Sequence, residues 1–369
     1  MFKHPLTIPQ SLDEVPAVPG VPKDAAKAWQ RPDINQVNRM PMHTHHFAYE
    51  RREVAYCGRP EASERYQTLN GTWDFFWQPD ADQMLDGFYK PEYKTADWKT
   101  IPVPGCWELN GFGDPIYVGG GFIWDHRAES NPPFVPLKEN HVGYYRRSVN
   151  IPAAWKGQQI VAHFGAAGSC MFLWVNGKFV GYSEDNKLEA EFDLTKYVKV
   201  GQENLIAVQV LRMCDGHYLE DQDYFRYTGL YRDCYLYARG LNTRFDDIRV
   251  VGDLTNNYKD GVLNINATVK GSGQVDFVLA DCCGKEVAKA SSPAAALAKG
   301  VKIEVPAVKP WSAEVPYLYQ LTATLRQGTK VIDVIPLKVG FRSIEISNKV
   351  AGVNQLLVNG QPILIKGAD

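Results

Sequence analysis

Nowhere in this chain do about eighteen apolar residues run together, so the sequence offers no transmembrane helix. The N-terminus likewise lacks an apolar run long enough for the core of a signal peptide, and the chain reads as soluble, with cytoplasm and periplasm both open as compartments. Charge of one sign is also missing. Forty basic and 42 acidic residues are interspersed, for a net charge of −2, which leaves no field to draw a nucleic acid or a membrane surface. The seven cysteines, Cys57, Cys106, Cys170, Cys214, Cys234, Cys282 and Cys283, are odd in number and scattered without a CxxC pair. That spacing excludes a structural zinc site and a dithiol redox motif, and most are expected to be buried thiols. Adjacent Cys282 and Cys283 read as small residues of a strand or turn. No GxSxG, HExxH, P-loop or GxGxxG pattern occurs, so nucleophilic-serine, zinc and nucleotide chemistries have no motif to carry them.

Aromatic residues are abundant, with nine Trp and 19 Tyr among 369 residues. They suit a β-rich core and flat platforms for sugars. Residues 1–56 are rich in proline and show neither helical nor strand period, which predicts an extended arm. The histidines of MHTHHF within it (His43, His45, His46) lack carboxylate or thiol partners nearby and are expected to be a surface or packed cluster. From 57 to 240, TWDFFW, YYRRSVNI, QIVAHFG, MFLWVNGKFVGY, NLIAVQVL and LYRDCYLYA recur as short strands between turn signals, the pattern of a β-sandwich. Asn176 and Gly177 mark a two-residue hairpin. A long segment rich in Gly, Pro and aromatics, from PGCWELNG to NPPFVP, interrupts the strands, and irregular insertions of that length are usually functional. From 241 to 345 clean alternation in LNINATVK and VKIEV predicts a second all-β domain of roughly seven strands, immunoglobulin-like in size. SSPAAALAKG within it reads as a surface loop or frayed turn. Residues 346–369 read as a hairpin at Asn359 and Gly360 that runs to the end of the chain without a cap. The fold class expected is therefore all-β, two sandwiches in series.

The run HYLEDQDYFRYTGLYRD, from His217 to Asp233, concentrates what a carbohydrate site needs. Tyr218, Tyr224, Phe225 and Tyr227 supply flat apolar faces, and Glu220, Asp221 and Asp223 supply oxygens for hydroxyl groups or a hard cation. Arg226 could orient one carboxylate. The same residues could equally form a self-contained knot of ion pairs and rings that closes a loop. Asp221 and Asp223 are the local pair to test against a glycosidase, but both are expected to ionise on a polar loop, which makes them binding groups rather than an acid and a nucleophile. Gly119, Gly120 and Gly121 in YVGGGFIW are not followed by a phosphate-binding helix and read as a bend.

Taken in order, LNGTWDF, PIYVGGGF, NPPFVP, GYYRRSVNIP, LWVNGKFVGYSEDNKLEAEFDLT, DGHYLEDQDYFRYTGLYRD, WSAEVPYLY, VGFRSIEI and LLVNGQPILIKGAD resemble the N-terminal part of glycoside hydrolase family 2 β-galactosidases. The resemblance implies a jelly-roll sugar-binding-like domain, an immunoglobulin-like domain and, over 346–369, the first strand of a truncated TIM-barrel catalytic domain. It implies a retaining hydrolase of terminal β-D-galactose residues whose two catalytic glutamates lie beyond Asp369, so that this chain has no catalytic residue of its own and is inactive alone. Asp223 inherits the role of the aspartate that binds the galactosyl 6-hydroxyl and a sodium ion. The family's active-site asparagine falls at Gly119, which lacks its side chain. Sodium and magnesium are implied for the parent enzyme. Glu184 and Asp215 stand where similar enzymes place an accessory magnesium ion, with Ala28 and Arg31 in place of its arm ligands. The partners implied are a β-galactoside, the chain's own catalytic barrel and a possible homo-oligomer. A stand-alone carbohydrate-binding module and a pure assembly module are the readings that compete with this one.

Overall fold

The computed structural model describes residues 5–185, 187–348 and 352–367. The chain divides into two compact units, one of Met1–Met42 and Tyr66–Ala238, the other of His43–Arg65 and Arg239–Asp369. Strands are the main regular element of both. Among the described residues no helix is long and apolar enough to cross a membrane.

The first unit is a jelly-roll sandwich. Its strands are β1 (Gln36–Val37), β2 (Tyr66–Thr68), β3 (Gly71–Gln78), β4 (Lys99–Val103), β5 (Val142–Asn150), β6 (Gln158–Phe164), β7 (Cys170–Val175), β8 (Lys178–Ser183), β9 (Ala190–Asp193), β10 (Glu203–Leu211) and β11 (Cys234–Gly240). They form a seven-stranded sheet in the order β1-β8-β7-β10-β5-β3-β4 and a four-stranded sheet in the order β2-β11-β6-β9. Asn176 and Gly177 turn β7 into β8 with φ of 50° and 80°, the left-handed pair that a tight hairpin requires.

The large sheet is covered on both faces, and its sequence shows why. Side chains alternate along a strand, so Met171, Leu173 and Val175 of β7 point into the core between the sheets, with Trp73, Phe75, Tyr145, Val208 and Phe164. Cys170, Phe172 and Trp174 point the other way and are equally buried, against Trp29, Val15, Val18, Phe88 and Trp124. An antiparallel strand with one wet face would alternate apolar and polar residues; β7 does not, because the N-terminal segment and the 104–136 insertion roof its outer face. The segment expected as an arm therefore places Trp29, Val15 and Val18 inside a core of the first unit, while its later part, 43–65, groups with the second.

The second unit is an immunoglobulin-like sandwich of β12 (Arg244–Thr255), β13 (Asp260–Lys270), β14 (Gln274–Ala280), β15 (Glu286–Pro293), β16 (Val301–Val305), β17 (Tyr319–Gln327) and β18 (Lys330–Val339). The sheets run β12-β13-β16 and β15-β14-β17-β18. Strict alternation in β13 and β14 delivers Leu263, Ile265, Phe277 and Leu279 to the core. Asp333 is fully buried within it, takes Arg65 Nη1 at 2.7 Å and accepts the Phe245 amide at 3.0 Å, which satisfies it. A last small sheet, β19 (Ile344–Ser347), β20 (Gln355–Val358) and β21 (Gln361–Pro362), contains the hairpin at Asn359 and Gly360. Ala368 and Asp369, the final residues of the expected barrel strand, lie outside the described residues.

Three local expectations are corrected. SSPAAALAKG is neither a surface loop nor a frayed turn: it ends β15 and forms a 3-10 helix, Ala294–Lys299, because Ala294 and Leu297 are buried in the sandwich core. LYRDCYLYA becomes a strand only from Cys234, since Gly229 and Leu230 are bonded to other loops. Of the cysteines, Cys170, Cys214 and Cys234 are buried, but Cys57, Cys282 and Cys283 are exposed, the last two at the tip between β14 and β15.

If the N-terminal segment is core, Trp29→Ala will cost about 3–5 kcal/mol in denaturant unfolding of the chain. A segment that merely lay on the surface would lose less than about 0.5 kcal/mol.

Candidate functional site

The His217–Asp233 loop joins β10 of one sheet to β11 of the other, and two other segments fix its course. At its start the Asp215 amide donates to Trp29 O at 3.1 Å, and His217–Glu220 makes one helical turn. Its second half runs alongside the insertion: Gly105 N donates to Leu230 O (2.8 Å), Trp107 N to Thr228 O (2.9 Å) and Arg226 N to Ile116 O (2.8 Å). Glycine is required at 229, where φ is +122° and a Cβ would stand 2.8 Å from Gly105 O and 3.0 Å from Trp107.

Arg226 is the hub. Its side chain is 3% exposed and its Nε pairs with Asp221, whose side chain is fully buried. The remaining nitrogens donate to Tyr224 O and, across the loop pair, to Gly121 O at 3.1 Å and Gly119 O at 3.4 Å. The glycine run is thus a carbonyl cradle for a cation, the reverse of an anion nest. Burial pushes the Asp221 carboxyl up to about 6, against the pull of Arg226. This corrects the expectation of two freely ionising carboxylates: Asp221 turns inward after the helical turn and leaves water.

Asp223 stays outside. Its Oδ1 accepts the Tyr117 hydroxyl at 2.6 Å, and both side chains are exposed. Tyr117 lies 5.2 Å from the Phe225 ring, which stacks on Tyr227 at 5.7 Å and 15°. Phe225 is 56% exposed and Tyr117 57%, so one carboxylate stands beside an open aromatic surface. Tyr117 was not legible as part of the site, although it sits two residues before Gly119 in PIYVGGGF. Gly119 itself has φ +61°, contributes its carbonyl to Arg226, and has open space where a Cβ would project. The other predicted faces do different work. Tyr218 donates to Phe134 O at 2.7 Å and packs on Phe122 and Trp124, while the Tyr224 ring carries Lys187 at 4.0 Å and Arg226 at 4.3 Å.

Glu184, Cys214 and Asp215 are all buried, with ligand atoms within 4.8 Å of one another. Burial and mutual repulsion push the Glu184 carboxyl up to about 8, burial pushes that of Asp215 up to about 7, and the charge of Glu220 raises both. Asp215 Oδ1 has no hydrogen-bond partner, whereas Glu184 already accepts from Tyr182 at 2.6 Å. Magnesium demands an octahedron of hard oxygens. Here two carboxylates share the site with a soft thiol, Ala28 offers no side-chain oxygen, and Arg31 is a cation bonded to Asp33 at 2.5 Å. Asp223 belongs to no group of three or more acid, His or Cys side chains among the described residues.

Behind Tyr117 lies a polar group that no motif announced. Arg212, 4% exposed, donates through Nη1 to His141 Nδ1 at 3.0 Å and through Nη2 to Asp114 O at 3.2 Å. A guanidinium can only donate, so His141 Nδ1 accepts and its proton sits on Nε2. Burial, reinforced by Arg212, pushes His141 down to about 3. Glu108 accepts the Thr228 amide at 2.9 Å and keeps its other oxygen 3.9 Å from Arg212.

Residues 66–240 match the model of the glycosyl hydrolases family 2 sugar-binding domain, and 243–342 that of glycosyl hydrolases family 2. The chain belongs to glycosyl hydrolase family 2. It is 35% identical to a β-galactosidase of Priestia megaterium over 362 residues, and 36% identical to a β-galactosidase of Streptococcus thermophilus over 341. These alignments cover 94% and 92% of this chain but 34% and 32% of the relatives, so the family 2 chain spans about a third of their length. A β-glucuronidase from Ruminococcus gnavus shares the fold, with a TM-score of 0.64 and 21% identity over 82% of this chain and 48% of that one.

The His141 geometry fixes a pH dependence. Between pH 6.5 and about 3 the unfolded chain binds a proton that the folded ring refuses, so stability falls as pH falls. At pH 5 this share is about 2 kcal/mol. Thermal melts of His141→Gln, which keeps an acceptor for Arg212, will lose that part of the acid-side slope. An unchanged slope would mean that His141 is protonated in the fold.

Proposed function

We propose that this chain is the N-terminal, non-catalytic part of a retaining β-galactosidase that hydrolyses terminal non-reducing β-D-galactose residues in β-galactosides. Asp223 contributes the sugar contact, and the acid/base and nucleophile come from outside these residues. The observation that carries the reading is the exposed Asp223 carboxylate set beside the open Tyr117, Phe225 and Tyr227 surface. Rings cover the C–H face of a sugar, and a carboxylate accepts from its hydroxyls. A carboxylate also discriminates. It favours a neutral C6 hydroxyl and repels the C6 carboxylate of a glucuronide, in accord with relatives named β-galactosidases rather than with the fold neighbour. Sodium, when bound beside Asp223, would offset this charge and give a sugar hydroxyl a Lewis-acidic contact.

Retention needs two carboxyl groups about 5–5.5 Å apart on either side of the bond. Asp221 is spent on Arg226, and of the carboxylates in EDQD only Asp223 is exposed. The isolated chain is therefore expected to leave a chromogenic β-galactoside intact. In the longer protein that contains it, Asp223→Ala will lower kcat/KM for β-galactosides about 10- to 100-fold, the worth of a hydrogen bond to a charged group, and will blunt the response to sodium. Turnover by the isolated chain, or unchanged kinetics and sodium response in the variant, would overturn the assignment.

A further inference from the structure

The segment that carries Tyr117 lines a cavity of about 620 Å³, within the jelly-roll unit. Its volume is in the range of small-molecule sites. Leu6, Ile116, Val118, Ile123 and Met213 give it apolar walls, and Arg212, His141, Arg127, Glu139 and Asp114 give it polar ones.

The balance of these groups selects the ligand class. Two arginines face two acids, and His141 is neutral, so the formal charges cancel and neither an anion nor a cation is favoured. Glu139 is already held by Arg127 through two bonds of 2.7 Å and is not free to take a metal ion. A purely apolar guest would strip water from the exposed Asp114 carboxylate on the cavity wall. The Asp114 carboxylate accepts and the Arg212 and Arg127 guanidinium groups donate, a pairing that suits a group that both accepts and donates, which is a hydroxyl. The His141 Nε2–H is a further donor of fixed tautomer. Apolar walls for C–H faces, with donors and acceptors of zero net charge, describe a site for a neutral polyhydroxylated molecule.

We propose that this cavity is a second saccharide site of the jelly-roll unit, selective for neutral sugars and distinct from the Asp223 surface. Tyr117 joins the two, since it lines the cavity and bonds Asp223. The inference does not require Asp223 to touch substrate.

Isothermal titration of the 369-residue chain with lactose and cellobiose, and with sodium glucuronate as the charged counterpart, tests it. A neutral disaccharide is expected to bind saturably and glucuronate at least about tenfold more weakly. Val118→Trp, which fills the cavity from its wall, should abolish binding. His141→Gln, which keeps the acceptor for Arg212 but removes the ring donor, should weaken it about tenfold. Circular dichroism and melting confirm the fold of each variant, and if Val118→Trp does not fold, His141→Gln decides. Absence of binding by both neutral sugars, equal binding of glucuronate, or full affinity in the folded variants would overturn the proposal. Binding that survives Val118→Trp but disappears with Asp223→Ala would assign the sugar to the loop instead, and so overturn the cavity while supporting the Asp223 reading.

Discussion

The buried Arg226–Asp221 pair is the interaction on which the candidate site depends. A guanidinium and a carboxylate taken from water must satisfy each other and nearly every remaining hydrogen-bonding position. Arg226 meets that demand with carbonyls from two separate segments, Gly119 and Gly121 of the insertion and Tyr224 of its own loop. The charge therefore welds the insertion to the loop. Such pairs contribute little net stability compared with an apolar contact, but loss of one partner typically costs about 3–5 kcal/mol. What the pair supplies is position: with Asp221 drawn in and residues 116–121 drawn alongside, Asp223 and Tyr117 are left facing each other on the outside.

That weld rests on the two-faced sheet beneath it. β10 leads directly into the loop, and its Ala207 and Leu211 pack on the same outer face of the sheet as Trp29 and Trp124. The roof over this face is made of the N-terminal segment and the insertion, and each also holds the loop: Trp29 O takes the Asp215 amide, and Gly105, Trp107 and Ile116 bond along 226–230. Packing and function are therefore carried by the same segments. This explains why a proline-rich stretch without secondary-structure period contains fully buried tryptophan.

Most of the sandwich architecture was legible because its strands carry local signals. Alternation in LNINATVK and the Asn176–Gly177 turn need no partner to be read. What stayed hidden was set by pairing across long sequence distances. Leu297 reads as a loop residue in an alanine-rich run until the β-sandwich buries it. Asp221 and Asp223 are two positions apart and chemically identical, yet Arg226 and the insertion bury one and expose the other, a distinction absent from the string EDQD. His141, Arg212 and Glu108 come from three separate parts of the chain and form no motif at all. The family resemblance singled out Asp223 but carried no information about Tyr117, whose contact depends on how the insertion folds back.

Hydrogen exchange tests most directly whether one buried charge holds the site together. Exchange of Arg226→Met should be compared with that of the unaltered chain, peptide by peptide. If Arg226 is the weld, segments 116–121 and 217–233 will lose protection together, while Val142–Asn150 and Glu203–Leu211 in the sheet keep theirs. Retention of protection in both loop segments, or loss in only one, would contradict the account.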